Sequence, residues 1–329
     1  MTLNLNGLIP ATILPMHADG SIDEVALRSY IGWVAGQGPV ALAINVDTGE
    51  GPHLTHDERV RVLRVVREVT DLPIVAGLAG PSTDAAVRQA RDFKAAGADA
   101  LLVFPIPAYL SEPLDVRVPV GYHEAIAEVG LPLILFQLQP ALAGVNFEPE
   151  TLRAMASVEG VVAIKEASFD ARRFVDTARL IAELPRPVTL LTGNDNFILE
   201  SFMLGATGAL IGFGAVMTRE QVDMIDAWNA GRIDDARALG RRVQRLADVV
   251  FDRPVGDYRV RLKECLRILG VLEAAHVRRP LLPLDDAERA ELTGVLIEVG
   301  LLGQPLAATT PAAPAAPTVP TVPTAVAGA

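Results

Sequence analysis

Eight short apolar runs divide most of this sequence at regular intervals, and amphipathic, arginine-rich segments lie between them. This alternation is typical of parallel strands joined by crossover helices, because strands covered on both faces are apolar throughout. The runs are LIPATIL (8–14), VALAINV (40–46), PIVAGL (73–78), DALLVF (99–104), PLILFQL (132–138), VVAIK (161–165), VTLLTG (188–193) and GALIGF (208–213).

The intervening segments have the period of amphipathic helices. In THDERVRVLRVVREVT, Thr55 and Glu58 predict a capping box at the start of a helix. The predicted buried stripe of this helix consists of Val62, Val65, Val66 and Val69. TDAAVRQARDFKAAG and DARRFVDTARLIAEL predict similar helices. Eight strand and helix alternations over about 230 residues favour a closed (β/α)8 TIM barrel over an open doubly wound sheet.

Three further helical patterns follow the eighth run, at about 218–251, 256–270 and 285–298. We therefore predict a barrel over residues 1–217 and a C-terminal helical extension over 218–303 that packs on it. Residues 304–329 are rich in Ala, Pro and Thr and carry no charge. We expect this tail to be disordered, because its prolines prevent regular helix or sheet.

Composition narrows the class of protein. Of the 329 residues, 50% are hydrophobic, which supports a sizeable core. A net charge of -11 argues against a nucleic acid or an anionic membrane as the main partner. The single cysteine, Cys265, excludes an internal disulfide and a cysteine-rich zinc site. The sequence also contains no basic-then-apolar leader and no membrane-length apolar run, so we expect a cytoplasmic protein.

Lysine is rare in this chain. Among 29 basic residues only Lys94, Lys165 and Lys263 are lysines. Lysine can lose its proton when desolvated and condense with a carbonyl group, whereas arginine stays charged. Lys94 and Lys263 stand in polar helical contexts and predict solvated helix charges. Lys165 ends an apolar strand, at the barrel face where reactive groups lie. It is a candidate catalytic amine, and the alternative is a structural ion pair with a neighbouring carboxylate.

Further polar and small residues stand at other strand ends. Asp47, Thr48, Gly49 and Glu50 form a loop after the second run, where a hydroxyl and nearby amides can hold a carboxylate. The alternative is an ordinary strand-to-helix turn. Gly193 and Gly212, at the ends of the seventh and eighth runs, would leave room for a small substrate near Lys165.

Other common chemistries are disfavoured. The sequence contains no phosphate-loop motif, no G-x-G-x-x-G and no G-x-S-x-G elbow. The seventh and eighth loops lack a basic residue beside their glycines, which disfavours a phosphate-binding barrel. The histidines do not have the spacing of metal ligands, so no metal site is predicted. They are His17, His53, His56, His123 and His276.

Three segments carry a resemblance to a known family. VVAIKEAS, DTGEGPHLTHDER and TGNDNFILESFMLGATGALIGFGAV resemble the dihydrodipicolinate synthase and N-acetylneuraminate lyase family, and the likeness extends over about residues 5–300. The resemblance implies a (β/α)8 barrel with added C-terminal helices, and a homo-oligomer, either a tetramer or a dimer. It also implies a Schiff base between a lysine and pyruvate or another 2-oxo acid, formed without a metal or organic cofactor.

The family's residues carry over onto this chain one by one. Lys165 matches the Schiff-base lysine, and Thr48 matches the carboxylate-binding threonine of the family's G-T-T-G-E motif. Gly49 and Glu50 match the end of that motif. Leu210 matches the apolar position on the eighth strand whose backbone helps to hold the 2-oxo acid.

The chain departs from the family pattern where protons are normally moved. Phe136 stands where the family has a tyrosine on the fifth strand, and a phenyl ring neither donates nor accepts a proton. Asp47 replaces the first threonine of G-T-T-G-E. PIPAYL replaces the usual P-Y-Y, so a relay tyrosine is missing there unless Tyr109 reaches in. QPALAG lacks the arginine that grips the second substrate in dihydrodipicolinate synthase.

We therefore predict a Schiff-base lyase, an aldolase or dehydratase acting on a small 2-oxo acid, in which Asp47 replaces part of the lost proton relay. Lysine-pathway synthase activity is not expected. The alternative is a non-catalytic paralogue that keeps the barrel and binds a 2-oxo acid or a partner protein.

Overall fold

The computed structural model describes residues 3–303 of the chain. The predicted disordered tail, residues 304–329, lies outside the described residues. No helix within the described range combines the length and the apolar character needed to cross a membrane.

Eight parallel strands form one sheet. Seven lie within their predicted runs, and the strand of the sixth run extends past residue 165 to Ala167. The strands are β1 (Leu8–Pro10), β2 (Leu42–Ile44), β3 (Ile74–Leu78), β4 (Ala100–Val103), β5 (Leu133–Leu138), β6 (Val161–Ala167), β7 (Thr189–Thr192) and β8 (Gly208–Ile211). Their order is β1-β8-β7-β6-β5-β4-β3-β2. A parallel bridge from Ala11 to Ala43 joins the two edges. The predicted (β/α)8 TIM barrel with a C-terminal helical extension is confirmed.

Helices alternate with these strands and continue after β8. They are α1 (Glu24–Ala35), α2 (His56–Val69), α3 (Thr83–Ala95), α4 (Arg117–Ala127), α5 (Pro149–Ala156), α6 (Ala171–Ala182), α7 (Ile198–Met203), α8 (Thr218–Asn229), α9 (Ile233–Val250), α10 (Tyr258–Ile268) and α11 (Asp286–Glu298). The capping box of Thr55 and Glu58 at the start of α2 is confirmed. Val62, Val65 and Val66 are buried as predicted, and Val69 is half-buried.

The pattern predicted as one helical segment over 218–251 is two helices. The break falls between α8 and α9, where Gly231 has φ +73°, a left-handed conformation that glycine adopts without steric cost. Helix α8 contacts β1 and so completes the alternation of the barrel. Helices α9 to α11 follow it. The division into a barrel over 1–217 and added helices over 218–303 stays a prediction.

The core has two apolar layers. Side chains such as Ile9, Val75 and Leu102 fill the inside of the barrel. A larger layer lies between the strands and the surrounding helices. Because successive strand residues alternate between these two layers, the last residues of a strand decide which groups line the mouth of the barrel.

The C-terminal extension is tied to the loop that follows β2. Three basic side chains of the extension each pair with an acidic side chain of residues 47–58. The pairs are Arg259 with Asp47, Lys263 with Glu50, and Arg278 with Glu58. The added helices therefore fix the position of the loop that carries Asp47 and Thr48.

Candidate active site

Lys165 faces the inside of the barrel near the C-terminal end of β6. Its side chain is 7% exposed, and it lies opposite Phe136 of β5 in the parallel register. The Lys165 Nζ atom is 4.1 Å from the centre of the Phe136 ring. Within residues 3–303, the ion pairs closer than 4.0 Å include Lys263 and none that involves Lys165. The structure therefore does not show the alternative prediction, a structural ion pair between Lys165 and a neighbouring carboxylate.

Two opposing effects set the charge of this amine. Burial lowers the pKa of Lys165 from 10.5 to about 8, although the nearby carboxylates of Asp195 and Asp47 favour the charged form. The face of the Phe136 ring also favours a cation. A pKa near 8 leaves a useful fraction of neutral amine at slightly basic pH, and the neutral amine is the form that attacks a carbonyl carbon.

The neighbouring residue, Glu166, points to the other face of the sheet, since strand side chains alternate. Its buried carboxylate accepts hydrogen bonds from Asn194 Nδ2 at 2.7 Å and from Gln137 Nε2 at 3.3 Å. Asn194 also accepts the Phe169 N–H at 2.7 Å. Glu166 therefore braces the loops after β6 and β7, and Lys165 is the charged side chain of β6 that faces the inside of the barrel.

Asp195, which the sequence analysis did not single out, lies in the loop after β7. Its Oδ1 atom accepts the Phe213 N–H at 2.8 Å. Burial raises the pKa of Asp195 to about 7, while that hydrogen bond and the charge of Lys165 act in the opposite direction. The signal was present in TGNDNF, since an acid at the end of a barrel strand is a candidate for chemistry.

Two glycines provide space at this site. A Cβ atom added to Gly193 would lie 2.6 Å from Lys165 Cε and 2.6 Å from Ala167 Cβ. Gly193 therefore makes room for the lysine side chain itself. A Cβ atom on Gly212 would lie 3.1 Å from the Tyr258 ring and 3.3 Å from Thr48 Oγ1.

The loop after β2 contributes Asp47 and Thr48. Both lie in a single 3-10 turn, Asp47–Gly49, and Thr48 is buried. The Tyr258 hydroxyl donates to Asp47 Oδ2 at 2.8 Å and lies 3.3 Å from Thr48 Oγ1. Gly49 permits a close backbone contact, because a Cβ atom there would lie 2.9 Å from the Thr12 carbonyl oxygen.

Glu50 turns toward the C-terminal extension. Its backbone is left-handed, at φ +55°, and its side chain is fully buried. One carboxylate oxygen pairs with Lys263, and the other accepts the Arg278 N–H at 2.9 Å. The contacts of Glu50 thus favour a positioning role, and a substrate contact through this residue stays a prediction. The expectation that Lys263 is a solvated helix charge is wrong, because the Glu50 carboxylate and the His276 carbonyl hold its ammonium group in the interior.

Aromatic rings without hydroxyl groups occupy the strand ends beside Lys165. Phe136 packs edge-to-face against Phe104, which follows β4, with ring centres 5.0 Å apart. Tyr109 packs instead against Tyr122 and Phe147 in the layer outside the strands. It therefore does not reach the inner face, and that alternative source of a relay phenol is not realised. Leu210 lies on β8 and packs inside the barrel.

In residues 3–303, no three His, Cys, Asp or Glu side chains come close enough together to hold a metal ion. Chemistry without a metal or organic cofactor remains a prediction from the family resemblance.

The chain is thus a (β/α)8 barrel that presents a buried amine, Lys165, at the C-terminal ends of its strands. The dihydrodipicolinate synthetase family profile matches residues 4–298. The chain belongs to this family.

Named relatives and solved structures extend this match over nearly the whole chain. It is 30% identical to the 4-hydroxy-tetrahydrodipicolinate synthase of Methanothrix thermoacetophila, over 89% of this chain and 96% of the relative. The identity is also 30% to the enzyme of the same name from Chlorobaculum parvum, over 91% and 98%. A dihydrodipicolinate synthase from Acinetobacter baumannii, solved in complex with pyruvate, superimposes with a TM-score of 0.80 at 27% identity, over 91% of this chain and 100% of that one.

Proposed function

We propose that this protein is a Schiff-base lyase, an aldolase or dehydratase, that condenses Lys165 with pyruvate or a related 2-oxo acid. The observation that carries the proposal is the environment of Lys165. The amine is buried at the mouth of the barrel, and its pKa is lowered to about 8. Within residues 3–303, no carboxylate pairs with it closer than 4.0 Å. Family membership and the pyruvate complex of the Acinetobacter baumannii relative support the choice of substrate.

The chemistry follows from the amine. Neutral Lys165 attacks the carbonyl carbon, the carbonyl oxygen leaves as water, and uptake of one proton from solvent gives the protonated imine. The imine draws electrons from the adjacent carbon, so a bond to that carbon can form or break without a metal or organic cofactor. Thr48 and the backbone at Leu210 bind the carboxylate end of the 2-oxo acid in this proposal. The active form is a homo-oligomer, a tetramer or a dimer, as the family resemblance implies.

The same site argues against the lysine-pathway reaction. Phe104 and Phe136 present phenyl rings beside Lys165, and QPALAG contains no arginine to bind a second carboxylate. General acid and base groups contribute about 10²- to 10⁴-fold to such reactions, so loss of the strand-end phenols is a large change. We therefore propose a different second substrate from that of the synthase.

The test is reductive trapping. The protein is incubated with pyruvate and a panel of 2-oxo acids in the presence of borohydride, and its intact mass is measured. We expect one covalent adduct per chain with at least one acid and none in Lys165→Arg, which keeps the charge but cannot form the imine. An unmodified wild-type protein across the whole panel would overturn the proposal.

A second candidate function is a non-catalytic paralogue that binds a 2-oxo acid or a partner protein without turnover. Phe136, a ring that cannot carry a proton beside the amine, favours it. Exchange of the pyruvate methyl protons for deuterium separates the two functions. Exchange only in Phe136→Tyr would support the binding protein, whereas rapid exchange in the wild type that Asp47→Ala abolishes would refute it.

A further inference from the structure

A tyrosine from the C-terminal extension lies at the mouth of the barrel. Tyr258 is the first residue of α10 and is 3% exposed. Its hydroxyl donates to Asp47 Oδ2 at 2.8 Å and lies 3.3 Å from Thr48 Oγ1. A phenol has one proton, so with that proton directed at Asp47, Thr48 is the donor to the Tyr258 oxygen. The three groups form a hydrogen-bond network that runs from Thr48 through Tyr258 to Asp47.

The Tyr258 ring is held in place on several sides. It stacks on Phe251 with ring centres 4.8 Å apart. The Arg259 guanidinium carbon lies 5.2 Å from the ring centre. The Arg259 guanidinium also donates two hydrogen bonds to Asp47, one to the carboxylate and one to the backbone carbonyl oxygen of Asp47. Gly212 gives the ring its space, since a Cβ atom there would lie 3.1 Å from it. The hydroxyl position is thus fixed by packing and by an ion pair.

Thr48, Tyr258 and Asp47 lie at the same end of the barrel as Lys165. The turn Asp47–Gly49 follows β2, Tyr258 packs against Gly212 directly after β8, and Lys165 stands near the end of β6. The charge of Asp47 acts on Lys165 and raises the pKa of the amine against the effect of burial. Burial and the charge of Asp47 raise the pKa of Tyr258, so the phenol stays neutral. A neutral phenol still relays a proton, because it can accept one on oxygen while it passes its own to Asp47.

We propose that Tyr258 is the proton-relay phenol of this site, with Asp47 as its proton acceptor and Arg259 as a positioning residue. This inference rests on the proposed imine chemistry. In the relayed step a C–H bond next to the imine breaks, and its electron pair forms the C=C bond of the neutral enamine. The proton goes to the Tyr258 oxygen as the Tyr258 proton moves to the Asp47 carboxylate. Reversal returns a proton to carbon.

The other tyrosines do not compete for this role. The chain contains four. The Tyr122 hydroxyl bonds to Gly80, and Tyr30 faces the Ala215 carbonyl oxygen at 3.4 Å. Tyr109 lies in the outer layer. The ends of β4 and β5 carry phenylalanines and no phenol. Tyr258, at the start of α10, supplies a phenol in their place.

The experiment compares imine formation with proton exchange in Tyr258→Phe. Borohydride trapping with the responding 2-oxo acid measures the imine, and proton NMR in deuterium oxide measures exchange next to the carbonyl. We expect the variant to form the adduct while its exchange rate falls by about 10²-fold or more. Tyr30→Phe is the matched control, since it loses the same atom away from Lys165 and should exchange at the wild-type rate.

Two further variants keep the test decisive. If Tyr258→Phe does not fold, Asp47→Asn should show the same loss of exchange with the adduct retained. In the double variant Tyr258→Phe with Phe136→Tyr, a phenol on β5 should restore exchange, which general structural damage would not allow. An adduct with undiminished exchange in Tyr258→Phe, or in Asp47→Asn, would overturn the relay alone. The absence of any wild-type adduct would overturn the proposed function, and the relay with it.

Discussion

Among single residues, Lys165 matters most, because the proposed chemistry depends on how burial lowers the pKa of its amine. Lys165 was predictable from sequence because lysine is rare here and this one ends an apolar strand. Phe136 was predictable from the family motif. Tyr258 was not singled out, because its proximity to Asp47 arises from a contact between distant parts of the chain. Asp195 was also not singled out, although its place at the end of β7 was a signal. A census of the four tyrosines, like that of the lysines, would have raised Tyr258 as a candidate.

The lowered pKa of Lys165 predicts a specific pH dependence. The pKa of Lys165 is about 8, so at lower pH the amine is mostly protonated. The rate of cyanoborohydride trapping should therefore rise about tenfold per pH unit below pH 8 and level off above it. Initial rates of adduct formation, followed by mass spectrometry from pH 6 to 9, measure this profile. A rate that still rises tenfold per pH unit up to pH 9 would show that burial does not lower the pKa from its ordinary value of 10.5.

Asp195 should shift this profile. Its carboxylate favours the charged form of Lys165, so Asp195→Asn should lower the pKa of the amine further and move the trapping midpoint to lower pH. Asparagine keeps an oxygen for the Phe213 N–H, which limits structural damage. The matched control is Asp176→Asn on the exposed face of α6, where no shift is expected. A midpoint that moves upward would contradict this electrostatic account.

At the scale of elements, the sequence pattern located the strands well because parallel strands buried on both faces are distinctive. Their ends were less accurate, since strand ends depend on pairing with neighbours. The break between α8 and α9 was missed because the amphipathic pattern continues across it. Gly231 was the available signal, as glycine after a helical segment commonly ends a helix.

The end of β7 predicts a steric effect on Lys165. In Gly193→Ala the new methyl group would meet Lys165 Cε and Ala167 Cβ at 2.6 Å, so the amine must move. We expect a clear fall in the trapping rate from this displacement. Gly121→Ala in α4 is the control, because a Cβ atom there meets nothing within 4 Å. The control should trap at the wild-type rate and be more stable by about 0.5–1 kcal/mol. Equal trapping rates in both variants would contradict the packing account.

At the scale of the whole molecule, the C-terminal extension fixes the loop after β2 through three ion pairs. Their partners are more than 200 residues apart in the chain, from Asp47 with Arg259 to Glu58 with Arg278. No local pattern reveals such pairs, which is why Lys263 was mistaken for a surface charge. The extension thus positions Asp47 and Thr48 as well as supplying Tyr258.

The buried pair of Lys263 with Glu50 predicts a large effect on stability. Lys263→Met leaves the Glu50 carboxylate buried without its cation, so the free energy of unfolding should fall by about 3–5 kcal/mol. Denaturant unfolding measures this change. Arg153→Met, in an exposed pair with Glu183, is the control and should cost less than about 1 kcal/mol. Glu50→Gln added to Lys263→Met should recover part of the loss, and equal losses in Lys263→Met and Arg153→Met would contradict the anchoring role.

Locating the trapped 2-oxo acid within the chain tests the proposed imine at Lys165. The chain has only three lysines, so proteolysis of the borohydride-reduced protein followed by mass spectrometry distinguishes them cleanly. We expect that the adduct lies on Lys165 and that Lys94 and Lys263 remain unmodified. An adduct on either of those lysines with Lys165 unmodified, or no adduct at all, would contradict this expectation.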